Sequence, residues 1–229
     1  MSNVLLKAEL VKKSFFKEKA EIPVVRGVNF AINQGEMVAI TGASGVGKST
    51  LLHILGALEA PSSGRVLFGP KQEDIFKYSD RTLSVFRNKQ LGFVFQFHYL
   101  LPEFTALENV MMPALIAGHA RGASEKQATE FLNFVGLSHR LSHRPTELSG
   151  GEQQRVAIAR SVILRPKILL ADELTGNLDS VNRNNVMDLL VKLNQATGIS
   201  ILLVTHDQEI AKKMHRVLVM RDGLFVPSV

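Results

Sequence analysis

Residues 37–50 read MVAITGASGVGKST: a short apolar run, Met37 to Thr41, passes straight into a glycine-rich stretch closed by Lys48, Ser49 and Thr50. The stretch fits G-x-x-x-x-G-K-[ST] through Gly42, Gly47, Lys48 and Ser49, in the order strand, loop, helix that the pattern requires. Glycine lets the backbone curl, so that N–H groups from Gly42 through Ala43, Ser44, Gly45, Val46 and Gly47 turn inward on an anion. The positive end of the following helix adds to that field. Lys48 is then placed to bridge the β- and γ-phosphates of a nucleotide, Ser49 to hold Mg2+ through its hydroxyl, and Thr50 to add a polar contact. A glycine-rich turn without a ligand is the plain alternative, and the preceding strand weighs against it.

Outward from this loop, strand-like apolar runs alternate with helical patterns, which predicts an α/β fold with a mostly parallel sheet. Met37 to Thr41, Ile168 to Asp172 and Ser200 to Thr205 read as buried central strands. Val24 to Ile32, Arg65 to Phe68 and Leu91 to Phe95 read as further strands, the antiparallel ones among them, because Pro61-Ser62-Ser63-Gly64 is a turn cluster rather than a crossover helix. Between Phe97 and Leu148 the strand pattern stops. That segment is the candidate inserted helical subdomain, with residues 1–96 and 149–229 forming the remaining core and β subdomain of a single domain. Ser124 is its expected helix cap, with Gln127 as capping-box partner and Ala128, Phe131, Leu132 and Val135 on one face ahead of Gly136. A later helix after Ser180 should bury Val186, Leu189, Leu190 and Leu193 and stop at Gly198. The strand Ile168 to Asp172 ends on two carboxylates: Asp172 suits the magnesium shell, and Glu173 the polarisation of a water attacking the γ-phosphorus.

Composition narrows the classes. The 45% apolar and 21% charged shares are those of an ordinary soluble protein, and the absence of cysteine excludes disulfides, thiolate metal sites and cysteine nucleophiles. The N-terminus, MSNVLLKAEL, lacks the parts of a secretory signal, which points to the cytosol. Val110 to Gly118, interrupted by Pro113, falls far short of the roughly 20 residues that span a bilayer. A net charge of +6 suits polyanions, but the basic residues are scattered rather than grouped, and no nucleic-acid partner is expected.

LSGGEQQR, Leu148 to Arg155, resembles the signature motif of ATP-binding cassette (ABC) proteins. Ser149 stands three residues before Glu152, a capping box on a helix opening at Gly150 whose positive end forms a second anion site. Together with Gly42 to Ser49, Asp172 and Glu173, His206 in VTHD, Gln96 in FVFQ and Asp179 in GNLD, the resemblance spans nearly the whole chain. It implies a phosphate-loop NTPase, RecA-like in its core, with an antiparallel β subdomain and an inserted α-helical one. It also implies that ATP and Mg2+ are bound in a head-to-tail pair, Ser149, Gly150 and Gly151 of one copy closing on the ATP held by the other. Gln96 is then expected to sense magnesium and the γ-phosphate, His206 to contact the γ-phosphate and the attacking water, and Asp179 to cross the dimer interface. Phe15 best matches the adenine-stacking position, with Phe16 the alternative; adjacent residues on an alternating segment point opposite ways, so one is expected in the core and one exposed.

Leu174 stands where the family usually has proline, which is expected to loosen the turn without abolishing activity. His139 and His143 have helical i, i+4 spacing but no evident third ligand, so a surface role is expected. Val110 to Ile116 reads as subdomain core, with a docking surface for a membrane subunit as the alternative. QFHYLLPEFTALENVMMPALIAG, Gln96 to Gly118, is similar to the lipoprotein-releasing subfamily of Gram-negative bacteria. That likeness implies a peripheral ATPase on the cytoplasmic face of the inner membrane, working with two integral membrane subunits. Macrolide or peptide exporter cassettes and cell-division cassettes share the same ATP motifs. Only a few residues follow Asp222-Gly223, so no C-terminal regulatory domain is expected.

Overall fold

A computed structural model describes residues 3–18, 20–176 and 178–226. Its strands are β1 (Val4–Lys17), β2 (Ala20–Asn33), β3 (Met37–Thr41), β4 (Ser63–Phe68), β5 (Glu73–Asp74), β6 (Leu91–Val94), β7 (Ile168–Asp172), β8 (Ser200–Val204), β9 (Arg216–Arg221) and β10 (Leu224–Val226). The helices are α1 (Lys48–Leu55), α2 (Asp80–Gln90), α3 (Ala106–Ile116), α4 (Arg121–Phe134), α5 (Gly150–Val162), α6 (Ser180–Thr197) and α7 (Gln208–Ala211).

The apolar runs with no alternation become the middle of a sheet covered on both faces. Its order is β10-β9-β3-β8-β7-β6, parallel throughout except for the terminal β9–β10 hairpin. Alternate residues along each strand feed different cores. Met37, Ala39, Leu169, Ala171, Ile201 and Leu203 pack beneath α3, α4, α5 and α6, whereas Val38, Ile40, Leu170, Leu202 and Val204 meet α1 and a second sheet. That second sheet is antiparallel, in the order β2-β1-β4-β5.

Some expectations change. Leu91–Val94 is not among the antiparallel strands; it pairs parallel with β7 at the edge of the main sheet, where Leu91 and Val94 are buried. β1 and the β9–β10 hairpin, for which no strand was predicted, complete the two sheets. Ser124 does not cap α4. The helix begins at Arg121 behind Ala120, and Ser124 lies inside it, fully buried, with its hydroxyl donating to the Ala120 carbonyl one turn back. Gln127 correspondingly reaches out of the helix to the Ile163 carbonyl rather than back to a cap. Of the expected face, Ala128, Leu132 and Val135 are buried and Phe131 is half-buried against the core, and Gly136 at φ +75° ends the helix. The neighbouring α3 carries a capping box of its own, Thr105 with Glu108. Of the apolar patch, Val110, Met111 and Ala114 are core while Ile116 is exposed. α6 buries Val186, Leu189, Leu190 and Leu193 and terminates at Gly198 in the left-handed conformation, as its pattern predicts.

Parallel topology delivers the C-terminal ends of β3, β6, β7 and β8 to one edge of the sheet, and Gly42, Gln96, Glu173 and His206 all follow those ends within two residues.

Candidate active site

The loop after β3 is shaped by two glycines that nothing else can replace. Gly42 has φ +147° and a β-carbon there would lie 2.2 Å from the Met220 carbonyl oxygen of β9; Gly47 has φ +102° and its β-carbon would meet the Val24 oxygen at 2.7 Å. The exposed turn Ala43, Ser44 and Gly45 lies between them, with Val46 half-buried. Lys48 is buried and lies back across the loop, its Nζ donating to the carbonyls of Gly42 at 3.0 Å and Ala43 at 2.7 Å. Ser49 Oγ donates to Asp172 Oδ1 at 3.0 Å, and Thr50 is half-buried beside it in α1.

Burial pushes the Asp172 carboxyl above its ordinary value, and the Glu173 charge acts in the same direction. The Ser49 hydroxyl, His53 and Lys48 oppose this without cancelling it. A half-buried carboxyl of this kind, with a hydroxyl on one oxygen and an imidazole 4.0 Å from the other, offers hard oxygen donors that fit a divalent cation such as Mg2+.

Glu173 holds a left-handed backbone at φ +46°, uncommon for a residue with a side chain. Its N–H donates to the Val204 carbonyl and its own carbonyl accepts from Gly176, so two hydrogen bonds fix the turn. Leu174 is 2% exposed and belongs to the core beneath α5 and α6, so packing anchors this turn where proline would have restricted φ. His206, at the end of β8, brings Nδ1 to 3.4 Å from Glu173 Oε1, with the imidazole more open to solvent than the carboxylate. Gln96 leans on the same turn: a β-carbon on Gly176 would lie 3.2 Å from its Nε2. The structure thus gathers Gly42–Thr50, Asp172, Glu173, His206 and Gln96 at one sheet edge.

Ser149–Gly151 and Asp179 form a separate group. Ser149 caps α5: its Oγ accepts from the Glu152 N–H, and Glu152 Oε2 accepts from the Ser149 N–H. That second bond, together with Arg140, outweighs burial and holds the Glu152 carboxyl below its usual range. Gly150 is exposed, and Gly151 is glycine for a steric reason, since a β-carbon would lie 2.6 Å from Asn182 Oδ1. Asp179 caps α6, accepting from the N–H groups of Val181 and Asn182 and from the Asn182 amide. Asn177, in the same GNLD stretch, lies outside the described residues. No hydrogen bond or ion pair among the described residues joins Ser149, Gly150 or Gly151 to the loop Gly42–Thr50.

The expectation that one of Phe15 and Phe16 sits in the core is wrong. They are 42% and 72% exposed, and Ile22, paired with Phe15, is 45% exposed, so neither ring is packed into the core at this end of the β1–β2 ribbon. Lys13 Nζ lies 5.2 Å from the centroid of Phe15, so this ring is the one partly covered. His139 is exposed on a short 3-10 turn and His143 contacts Arg140, and among the described residues no group of three potential ligands could hold a metal. A cavity of about 610 Å3 lies elsewhere, between α4 and α6 at the opposite ends of β7 and β8.

Three residues that no sequence motif picks out support the site. His53 faces Asp172; Arg183 of α6 donates to Asp207 Oδ2 at 2.6 Å; Arg160 of α5 grips the loop after Gln96, donating to the carbonyls of His98 at 2.8 Å and Tyr99 at 2.7 Å. Each acts across a long sequence separation, which motif spacing does not reveal.

The sequence profile of the family described as ABC transporter matches residues 25–176, about two thirds of the chain. The chain belongs to the ABC transporter family. Within it, the chain is 51% identical to the lipoprotein-releasing system ATP-binding protein LolD of Geobacter metallireducens, over 99% of both chains. It is 47% identical to the protein of that name from Idiomarina loihiensis, over 98% of this chain and 97% of the relative. Among solved structures it resembles the dimeric ATP-binding cassette MJ0796 in a post-hydrolysis state bound to ADP and Pi, with a TM-score of 0.89, 37% identity and 97% of each chain covered. Like other ABC ATPases, the cassette binds ATP and hydrolyses it in the service of transport.

Proposed function

We propose that this cassette is the ATP-hydrolysing subunit of a lipoprotein-releasing transporter, energising the release of outer-membrane-directed lipoproteins from the inner membrane to a periplasmic carrier. The observation that carries this reading is full-length likeness, 47 to 51% identity, to four ATP-binding proteins of lipoprotein-releasing systems. Exporter and cell-division cassettes share the ATP motifs, and nothing in the comparisons favours them.

The phosphate loop holds the triphosphate on backbone N–H groups, and Lys48 swings from the Gly42 and Ala43 carbonyls to the β- and γ-phosphates. Ser49 and Asp172, with Gln96, would hold Mg2+, which when bound would neutralise charge on the phosphate oxygens. Glu173 takes the proton of the attacking water, and His206, whose ring abuts it, contacts the γ-phosphate. Phe15 stacks on adenine. Ser149, Gly150 and Gly151 of a second copy complete the site from the opposite side, head to tail, and Asp179 reaches across the same interface. The exposed capped end of α5, unconnected to its own loop, supports that arrangement.

Residues 97–148 then serve as the helical subdomain that faces two membrane subunits from the cytoplasmic side. Phe97, Tyr99, Leu101 and Phe104 leave apolar surface exposed there, immediately after Gln96. No helix among the described residues is long and apolar enough to cross a membrane, so the membrane-spanning path is assigned to those subunits.

Depletion of the chain in its own cell tests the cargo. Lipoproteins destined for the outer membrane should accumulate in the inner membrane, and the chain should copurify with multi-span membrane proteins bearing large periplasmic domains. Correct lipoprotein sorting after depletion refutes this reading.

A further inference from the structure

The two loops that carry the hydrolytic groups are tied together by one side chain. Arg183 sits in the first turns of α6, where a cation opposes the helix dipole and gains nothing from its own helix. Its guanidinium instead reaches outward as a fork. One nitrogen donates to Asp207 Oδ2 at 2.6 Å and the other approaches the Leu178 carbonyl at 3.4 Å. Asp207 directly follows His206, and Leu178 directly precedes Asp179. The fork therefore clamps the loop leaving β8 to the loop leaving β7.

Asp207 is itself held firmly. Its other oxygen caps α7, accepting from the N–H groups of Glu209 and Ile210, and its backbone N–H donates to Thr205 Oγ1. Burial raises the Asp207 carboxyl, but those N–H groups and the Arg183 charge prevail and keep it below its usual range, so it stays ionised. A cavity of about 30 Å3 is lined by Glu173 and His206 together with Thr175, Arg183 and Thr205. The 3.4 Å contact thus borders an open pocket, with His206 largely exposed, and relies on how its two loops are held.

We propose that Arg183 is a positioning residue for hydrolysis, setting His206 against Glu173 by bridging Asp207 and the Leu178 carbonyl; the proposal rests on Glu173 and His206 having the roles given above. Arginine is the side chain suited to this bridge, because its planar fork serves two acceptors at once where lysine offers a single point of charge. Leu174 makes the bridge matter more, because without a ring to restrict φ at that position the turn between Glu173 and Leu178 depends on packing and on such ties.

Steady-state ATPase kinetics on the full-length chain, at protein concentrations where specific activity has reached its plateau, test this. Arg183→Ala should lower kcat about tenfold or more while the KM for ATP stays within about twofold, as misplacement of a reacting group predicts. Arg183→Lys should recover part of the loss. Asp207→Asn, which keeps the capping oxygen but removes the charge, should reproduce the loss, and the double variant should be little worse than either single one. Circular dichroism melts establish that each variant is folded at the assay temperature. An unchanged kcat in folded Arg183→Ala, strictly additive losses, or a loss erased by raising the protein concentration each overturn the proposal. Glu173→Gln serves as the control: if it is inactive while Arg183→Ala is normal, only the positioning role fails, whereas an active Glu173→Gln removes the reading beneath it.

Discussion

At the scale of the residue, burial holds the imidazole of His98 below its ordinary value. The facing Gln154 amide, close without satisfying full hydrogen-bond geometry, works against that effect, and the Arg160 charge adds to it. An unfolded chain takes up this proton near the usual imidazole value of about 6.5, whereas the folded chain resists until lower pH, so the folded state loses stability as pH falls through that interval. Urea titrations at about pH 7.5 and about pH 5 should therefore show His98→Gln gaining on the parent chain at the acidic pH, and parallel pH profiles would contradict this. His98 also shows what sequence spacing leaves hidden. Lys48, Ser49, Asp172 and Glu173 were legible because their chemistry needs fixed local order. Arg160 reaches His98 from 62 residues away and Asp207 meets Arg183 from 24 residues away, contacts that exist only through packing.

At the scale of the element, the strands buried on both faces announced themselves by unbroken apolar runs, and α6 by its period and its closing Gly198. α4 did not, because serine, the commonest cap, here serves as a buried residue bonding the previous turn. β1 was obscured for a related reason: bulges interrupt its pairing with β2, so its burial does not alternate cleanly. The turn joining β7 to α6 is where element and chemistry meet. Leu174→Ala removes a side chain that is 2% exposed and should lower the unfolding free energy by about 2 to 5 kcal/mol in a urea titration, the range for a buried leucine whose cavity does not collapse. A change below about 0.5 kcal/mol would mean that the turn is held by its backbone hydrogen bonds alone.

At the scale of the molecule, no hydrogen bond or ion pair among the described residues joins the nucleotide loop to the capped end of α5 within one copy. Under the head-to-tail arrangement proposed above, hydrolysis depends on collision between copies. Specific ATPase activity of the purified chain should rise with protein concentration before levelling off. Glu173→Gln should cut turnover by about a hundredfold or more while ATP binding persists, and gel filtration with ATP should show its dimer outlasting that of the parent chain. Activity independent of concentration in a demonstrably monomeric sample would argue for a self-sufficient site.

The grip of Arg160 on the carbonyls of His98 and Tyr99 has a mechanical meaning at this scale. α5 is a stiff rod with that grip near one end and Ser149 at the other, about 16.5 Å apart at 1.5 Å per residue. A tilt of roughly 10° about the gripped end would sweep the Ser149 end through ~2.9 Å, about the length of a hydrogen bond. In the head-to-tail arrangement proposed above, a displacement of that size would make or break the contact between Ser149 and a phosphate held by the other copy.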